Sequence, residues 1–187
     1  HNTNVPPMGW ENAVRKMEEA REEGLDVLGE MTPFPYGIGI MSTLLPPWIM
    51  ELGPTNAADR LKDPEVRRRL RGECDRYWRF IAKGEWNRVG IQSNIPYPEL
   101  NGLSMTEAAR RLGMDEWDCF FDILSKSGAL MGGNVLKARL YSDEHMLQKI
   151  GQPQFMLTVD GYSGDLGNQE LTASLGFCLH YMGMIHY

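Results

Sequence analysis

Asp160 closes a short apolar run, Phe155 to Val159, and is followed by Gly161 and a polar loop rich in Gly and Asp. A carboxylate at the carboxyl end of a buried parallel strand stands where α/β barrels gather their catalytic groups, positioned to take up and return a proton. The other role open to it is the cap of a turn or of the next helix, as Asp-Gly pairs often are. Glu30 ends a second expected strand, just before a proline-rich stretch, which makes it a candidate metal-facing or supporting carboxylate; exposed or paired glutamates are the commoner case. His1 stands at the first position, where nothing upstream defines its setting. His145 follows a helix cap, and His180 and His186 lie in an apolar, Met-rich stretch that suits core or surface histidines better than metal ligands.

Other clusters read as structural. Arg67, Arg68, Arg69 and Arg71 share a segment with Glu65, Glu73 and Asp75, the composition of a solvated helix face rather than of an anion site. The 12 methionines read as core filler. No Walker loop, no GxGxxG after a strand, no nucleophile elbow and no HExxH occurs, which excludes the most readily recognised enzyme classes.

The elements that must position these carboxylates follow an α/β rhythm. Trp10 to Glu23 reads as an amphipathic helix with Val14 and Met17 on its apolar face and Gly24 to stop it, and Leu25 to Met31 as a strand. Thr32 to Gly39, with two prolines and two glycines, reads as a long loop. Asp63-Pro64 supplies a cap and a first-turn proline for a helix running through Leu70 and Cys74 to Gly84. Trp86 to Ser93 reads as a strand broken by Pro96-Tyr97-Pro98. Ser104 and Glu107 form a capping box, and Asp115 caps a second helix carrying Trp117, Phe120, Phe121 and Leu124. Val135 to Tyr141 reads as a strand, Ser142 caps a helix to Ile150, Phe155 to Val159 reads as a buried parallel strand, and Leu171 to Tyr187 as a helix.

With 187 residues, 42% hydrophobic and 24% charged, the chain has the composition of a folded protein, and a formal charge of −6 leaves no broad basic surface for nucleic acid. Cys74, Cys119 and Cys178 are odd in number and widely spaced, which points to a reducing, cytoplasmic setting rather than to disulfides. No apolar run approaches the ~20 residues that span a bilayer, so no membrane partner is expected. A first residue other than Met, and an uncapped apolar stretch at His186-Tyr187, lead us to expect that both ends are cut.

The order of segments resembles the C-terminal half of the D-aminoacylase, or N-acyl-D-amino-acid deacylase, family of the amidohydrolase superfamily, over nearly all of the chain. The family's Ser-His strand end and Gly-Trp loop look like His1 to Trp10, and its "AAR-x-x-G-L-D-V" like Glu19 to Val27. Its "D-x-Y-P-Y" is similar to Glu30 to Phe34, and its "LPPW" to Leu45-Pro46-Pro47-Trp48, followed by Arg60 to Pro64 and Arg69-Leu70. "L-x-G-x-S-x-x-E-x-A" resembles Leu100 to Ala109, and "G-S-D-G" resembles Thr158-Val159-Asp160-Gly161.

The resemblance implies an α/β fold, part of a (β/α)8 TIM-like barrel of the metal-dependent hydrolase type. Residues 1–187 would form its C-terminal portion, with a helical insertion at about 54–84 and 103–127 and with the N-terminal half of the barrel absent. It implies one or two Zn2+ ions, metal ligation by His1, Asp160 and Glu30, catalysis by Asp160 as acid/base, and substrate contacts from Tyr36 and Ser42. Implied partners are a small-molecule amide, the N-terminal half of the same protein and further copies in a homo-oligomer. Two departures stand out: the family acid is Glu30 here, and "H-P-R-A-Y-G" becomes Leu171 to Gly176, without the arginine that would grip a substrate carboxylate. An amide, carbamate or cyclic amide other than an ordinary N-acyl-D-amino acid is the expected substrate. The alternative is a noncatalytic relative serving as a binding or assembly subunit.

Overall fold

A computed structural model describes residues 10–31, 36–77, 85–139 and 143–158. The chain divides into two compact units. One combines the residues up to Tyr36 with those from Leu140 onward; the other is the continuous segment Gly37–Arg139. Both are mixed α/β, with a small sheet each, and the described residues form no closed barrel.

In the first unit, helix α1 (Trp10–Glu22) ends as expected, where the Leu25 amide turns back to the Ala20 carbonyl at 3.0 Å. The expected strand from Leu25 shortens to β1 (Gly29–Met31), because the Val27 amide bonds to Leu25 within a turn and Leu25 and Leu28 stand exposed. β1 pairs in parallel with β5 (Phe155–Leu157), Glu30 opposite Met156. The ladder is extended by the Gly29 amide on Gln154 and the Thr158 amide on Met31, both at 2.9 Å. Gly29 is required sterically: a Cβ there would lie 2.4 Å from the Phe155 ring and 3.2 Å from the Met17 methyl. One face of the pair, Met31 with Phe155 and Leu157, packs on Met146 and Ile150 of helix α7 (Asp143–Ile150). The other face is open, with Met156 half exposed, so β5 is parallel as expected but not buried on both sides.

The second unit opens with a strand where a loop is expected. β2 (Tyr36–Ile40) joins a sheet of order β2-β4-β3, in which β3 (Val89–Ser93) and β4 (Val135–Arg139) are antiparallel, Ile91 opposite Leu136. Two glycines suggest a break, yet Tyr36, Ile38 and Ile40 keep the period-2 alternation of a strand, and pairing to β4 decides the conformation. Trp86–Arg88, expected as strand, is a 3-10 turn closed by the Arg88 amide on Glu85 at 3.0 Å. It buries Trp86 edge-on against Trp117, with ring centres 4.9 Å apart.

Three helices, α3 (Gly53–Arg60), α4 (Pro64–Tyr77) and α5 (Met105–Leu112), pack on a fourth, α6 (Glu116–Ser127), and the short helix α2 (Pro47–Met50) packs on α3. The capping box of Ser104 and Glu107 forms with both bonds in place, Gly113 ends α5 in the left-handed conformation at φ +70°, and Asp115 caps α6 through the Asp118 amide. α6 sinks Cys119, Phe120, Phe121, Ile123 and Leu124 into the core, and the Ser125 hydroxyl bonds the Ala58 carbonyl at 2.9 Å. Trp48, last residue of the Leu-Pro-Pro-Trp motif, donates its indole N–H to Glu73 at 2.5 Å and has two guanidiniums over its ring, Arg69 at 3.9 Å and Arg60 at 4.8 Å from the ring centre. That motif therefore fastens α2 to α3 and α4.

Candidate functional site

β1 and β5 are the elements that bear on the proposed chemistry. Parallel pairing brings their carboxyl ends to one edge of the sheet. Alternation along β1 sends Met31 toward α7 and Glu30 to the opposite, open face, beside exposed Met156. Glu30 thus presents its carboxylate away from the helix that covers the sheet.

The other expected site residues fall elsewhere. Asp160 lies outside the described residues, two positions beyond Thr158, and so does His1. Tyr36 is the exposed first residue of β2. Ser42 belongs to the second unit, half-buried in a 3-10 turn (Met41–Leu44), where its carbonyl accepts the Leu45 amide at 3.2 Å. His145 falls on α7, its side chain outside the described residues, as are His180, His186 and the stretch 171–187.

A catalytic zinc takes three protein ligands and keeps one position open. Among the described residues no group of three His, Cys, Asp or Glu side chains is placed to hold such an ion. Glu30 therefore offers one oxygen donor, and the rest of the set named by the sequence resemblance, His1 and Asp160, lies outside the described residues.

Two polar clusters were not legible in the sequence. The Tyr97 hydroxyl donates to Asp122 at 2.5 Å and accepts from Lys126, whose ammonium is also 3.1 Å from Asp122 and 4.9 Å from the Tyr97 ring centre. Burial, reinforced by the Asp122 carboxylate, raises the Tyr97 pKa. The cluster ties the loop after β3 to α6.

The arginine run was expected as a solvated face. Arg68 and Arg69 do pair along α4, with Glu65 and Glu73. Arg67 and Arg71 instead cross to α6, Arg67 reaching Asp118 at 3.2 Å and Arg71 reaching Asp115 at 2.8 Å and Asp118 at 2.9 Å. The open cleft along this seam is lined by Lys62, Pro64, Arg67, Arg68, Arg71 and Asp118. Each of its cations already holds a carboxylate, Lys62 that of Asp59, so the seam is charge-matched rather than an excess positive site. Partners 44 to 51 residues apart leave no local signature.

Cys74 and Cys119 are buried free thiols, with pKa values pushed up to about 12 by burial first, and by Glu73 for Cys74 and Asp122, Glu116 and Asp115 for Cys119. They are inert core residues, not nucleophiles. A folded-state pKa raised above the ordinary 9.0 stabilises the fold below pH 9, and that contribution fades as pH rises from 9 toward 12. In a Cys178→Ser protein, a thiol-disulfide reagent at neutral pH is expected to release no chromophore until denaturant unfolds the chain. Rapid native labelling of Cys74 or Cys119 would contradict their burial.

Among the described residues no helix is long and apolar enough to cross a membrane. No protein-family model matches the chain, and no curated protein matches its sequence. Among solved structures, the chain is similar to N-acyl-D-glutamate deacylase from Bordetella bronchiseptica, crystallised with zinc and a phosphonate inhibitor that mimics the tetrahedral intermediate of its reaction. The likeness is 17% identity and a TM-score of 0.47 over 84% of this chain, which spans 24% of the length of that enzyme.

Proposed function

We propose that this chain is part of a metal-dependent hydrolase that cleaves an amide-type C–N bond. The observation that carries the reading is the parallel β1–β5 pair. The strand bearing Glu30 lies beside the strand whose sequence runs on into Thr158-Val159-Asp160-Gly161, with the Glu30 carboxylate on the face opposite α7. The motifs of the D-aminoacylase family support it from the sequence.

In this reading Asp160 takes the proton of the hydrolytic water and returns it to the leaving nitrogen, His1, Asp160 and Glu30 face the metal, and Tyr36 and Ser42 contact substrate. Zinc, when bound, supplies a Lewis acid that acidifies water toward neutral pH. With no arginine in Leu171 to Gly176, the substrate class is a neutral amide, carbamate or cyclic amide rather than an N-acyl-D-amino acid. The open sheet face, and a parallel sheet that has only two strands among the described residues, suit completion by the N-terminal half of the same protein, within a homo-oligomer. Free, buried Cys74 and Cys119 suit a cytoplasmic setting.

Metal analysis of the intact protein, together with a panel of amides, carbamates and cyclic amides, tests the reading. Stoichiometric zinc and chelator-sensitive hydrolysis of at least one panel member are expected. Protein that stays metal-free when offered zinc, and turns over nothing, would overturn it in favour of the noncatalytic alternative, to which the missing arginine also points.

A further inference from the structure

We infer that residues Gly37–Arg139 form one cooperative folding unit, inserted into the chain of the other and opening independently of it. The inference does not rest on the hydrolase reading. Its first support is the distribution of the core. Among the described residues, every fully buried apolar side chain except Met31 and Met146 lies between Met41 and Ala138. The aromatic cluster of Trp86, Trp117, Phe120 and Phe121 lies within this segment.

The second support is how the segment is closed. It enters through β2 and leaves through β4, and these are hydrogen-bonded neighbours in one sheet. Just beyond, the Met41 amide bonds the Asn134 carbonyl at 2.8 Å. The two ends of a long excursion are thus held together by bonds inside the excursion itself, so its loop-closure entropy is met without help from the flanking chain. Two buried polar side chains bond within the segment as well: Asn134 serves Ile95, Ser127 and Met131, and Ser125 serves Ala58. Among the described residues, the first unit has its own small core, in which Met31 and Met146 pack with Ile150, Phe155 and Leu157 between two three-residue strands and α7. Segments with separate cores can open with separate free energies.

Hydrogen exchange of the full chain, read by mass spectrometry, tests this. Amides of β3, α5, α6 and β4 are expected to exchange together at one slow rate, and those of β1, β5 and α7 together at a different one. Phe120→Ala is expected to speed exchange across 37–139 by about a hundredfold or more without moving the rates of β1, β5 and α7. Should that variant not fold, Ile123→Val is expected to give the same pattern at about two- to tenfold, and Met146→Ala the converse. Equal acceleration in both sets, or β3–β4 exchanging apart from α5–α6, would overturn the inference.

Discussion

Asp160→Asn in the intact protein is expected to lower kcat at least ~10²-fold on any amide substrate it turns over, the loss typical of a missing general base. The substitution keeps the size and shape of the side chain and removes its basicity. KM should move much less, because the remaining pocket is unchanged, so the loss should sit in kcat. The structure gives this expectation its setting: the strand leading toward Asp160 in sequence pairs in parallel with the Glu30 strand, through bonds from Gln154 to Thr158. If Asp160 is instead a turn cap, Asn caps about as well as Asp and turnover should survive, any loss following stability. Measuring kcat and Tm on one preparation separates the two roles, and near-wild-type turnover would remove the catalytic assignment.

The second large effect is structural. Asn134 is fully buried; its side-chain carbonyl accepts the Ile95 amide at 2.9 Å, and its amide donates to the Ser127 hydroxyl and the Met131 carbonyl, each at 2.9 Å. One side chain thus joins the loop after β3, the end of α6 and the turn into β4. Asn134→Leu keeps the approximate volume and takes this partner from the Ile95 amide, while the Ser127 hydroxyl keeps the Ile123 carbonyl and the Met131 carbonyl keeps the backbone amide of residue 134. A polar group that loses its partner costs about 1–3 kcal/mol, so a loss of about 1–3 kcal/mol is expected, with a lower urea midpoint. Lys62→Ala, which removes an exposed pair with Asp59, is the control and should leave the midpoint in place. A midpoint for Asn134→Leu within error of wild type would mean that water or neighbouring groups satisfy the Ile95 amide.

What could be read from the sequence is what is encoded within a few residues. The Asp63-Pro64 start, the Ser104–Glu107 capping box, the Asp115 cap and the α1 stop each depend on side chains within about one helical turn of the backbone they bond, and each formed where expected. The apolar run at Phe155 likewise announced a parallel strand, and the structure supplied its partner, β1.

Only the tertiary structure decided the rest, because the deciding partners are far away in the chain. Tyr36 to Ile40 becomes a strand because β4, about a hundred residues later, offers its hydrogen bonds; the local glycines argue the other way. Arg67 and Arg71 become ties between helices, and not a solvated face, because α6 brings Asp115 and Asp118 beside them. Glu30 faces the open side of its sheet because α7 takes the other, a choice that alternation along three residues leaves undetermined until a helix packs on one face. Chain order likewise leaves hidden that the entry and exit of Gly37–Arg139 are neighbouring strands, since adjacency in a sheet is settled by which backbones satisfy one another's hydrogen bonds, not by distance along the sequence.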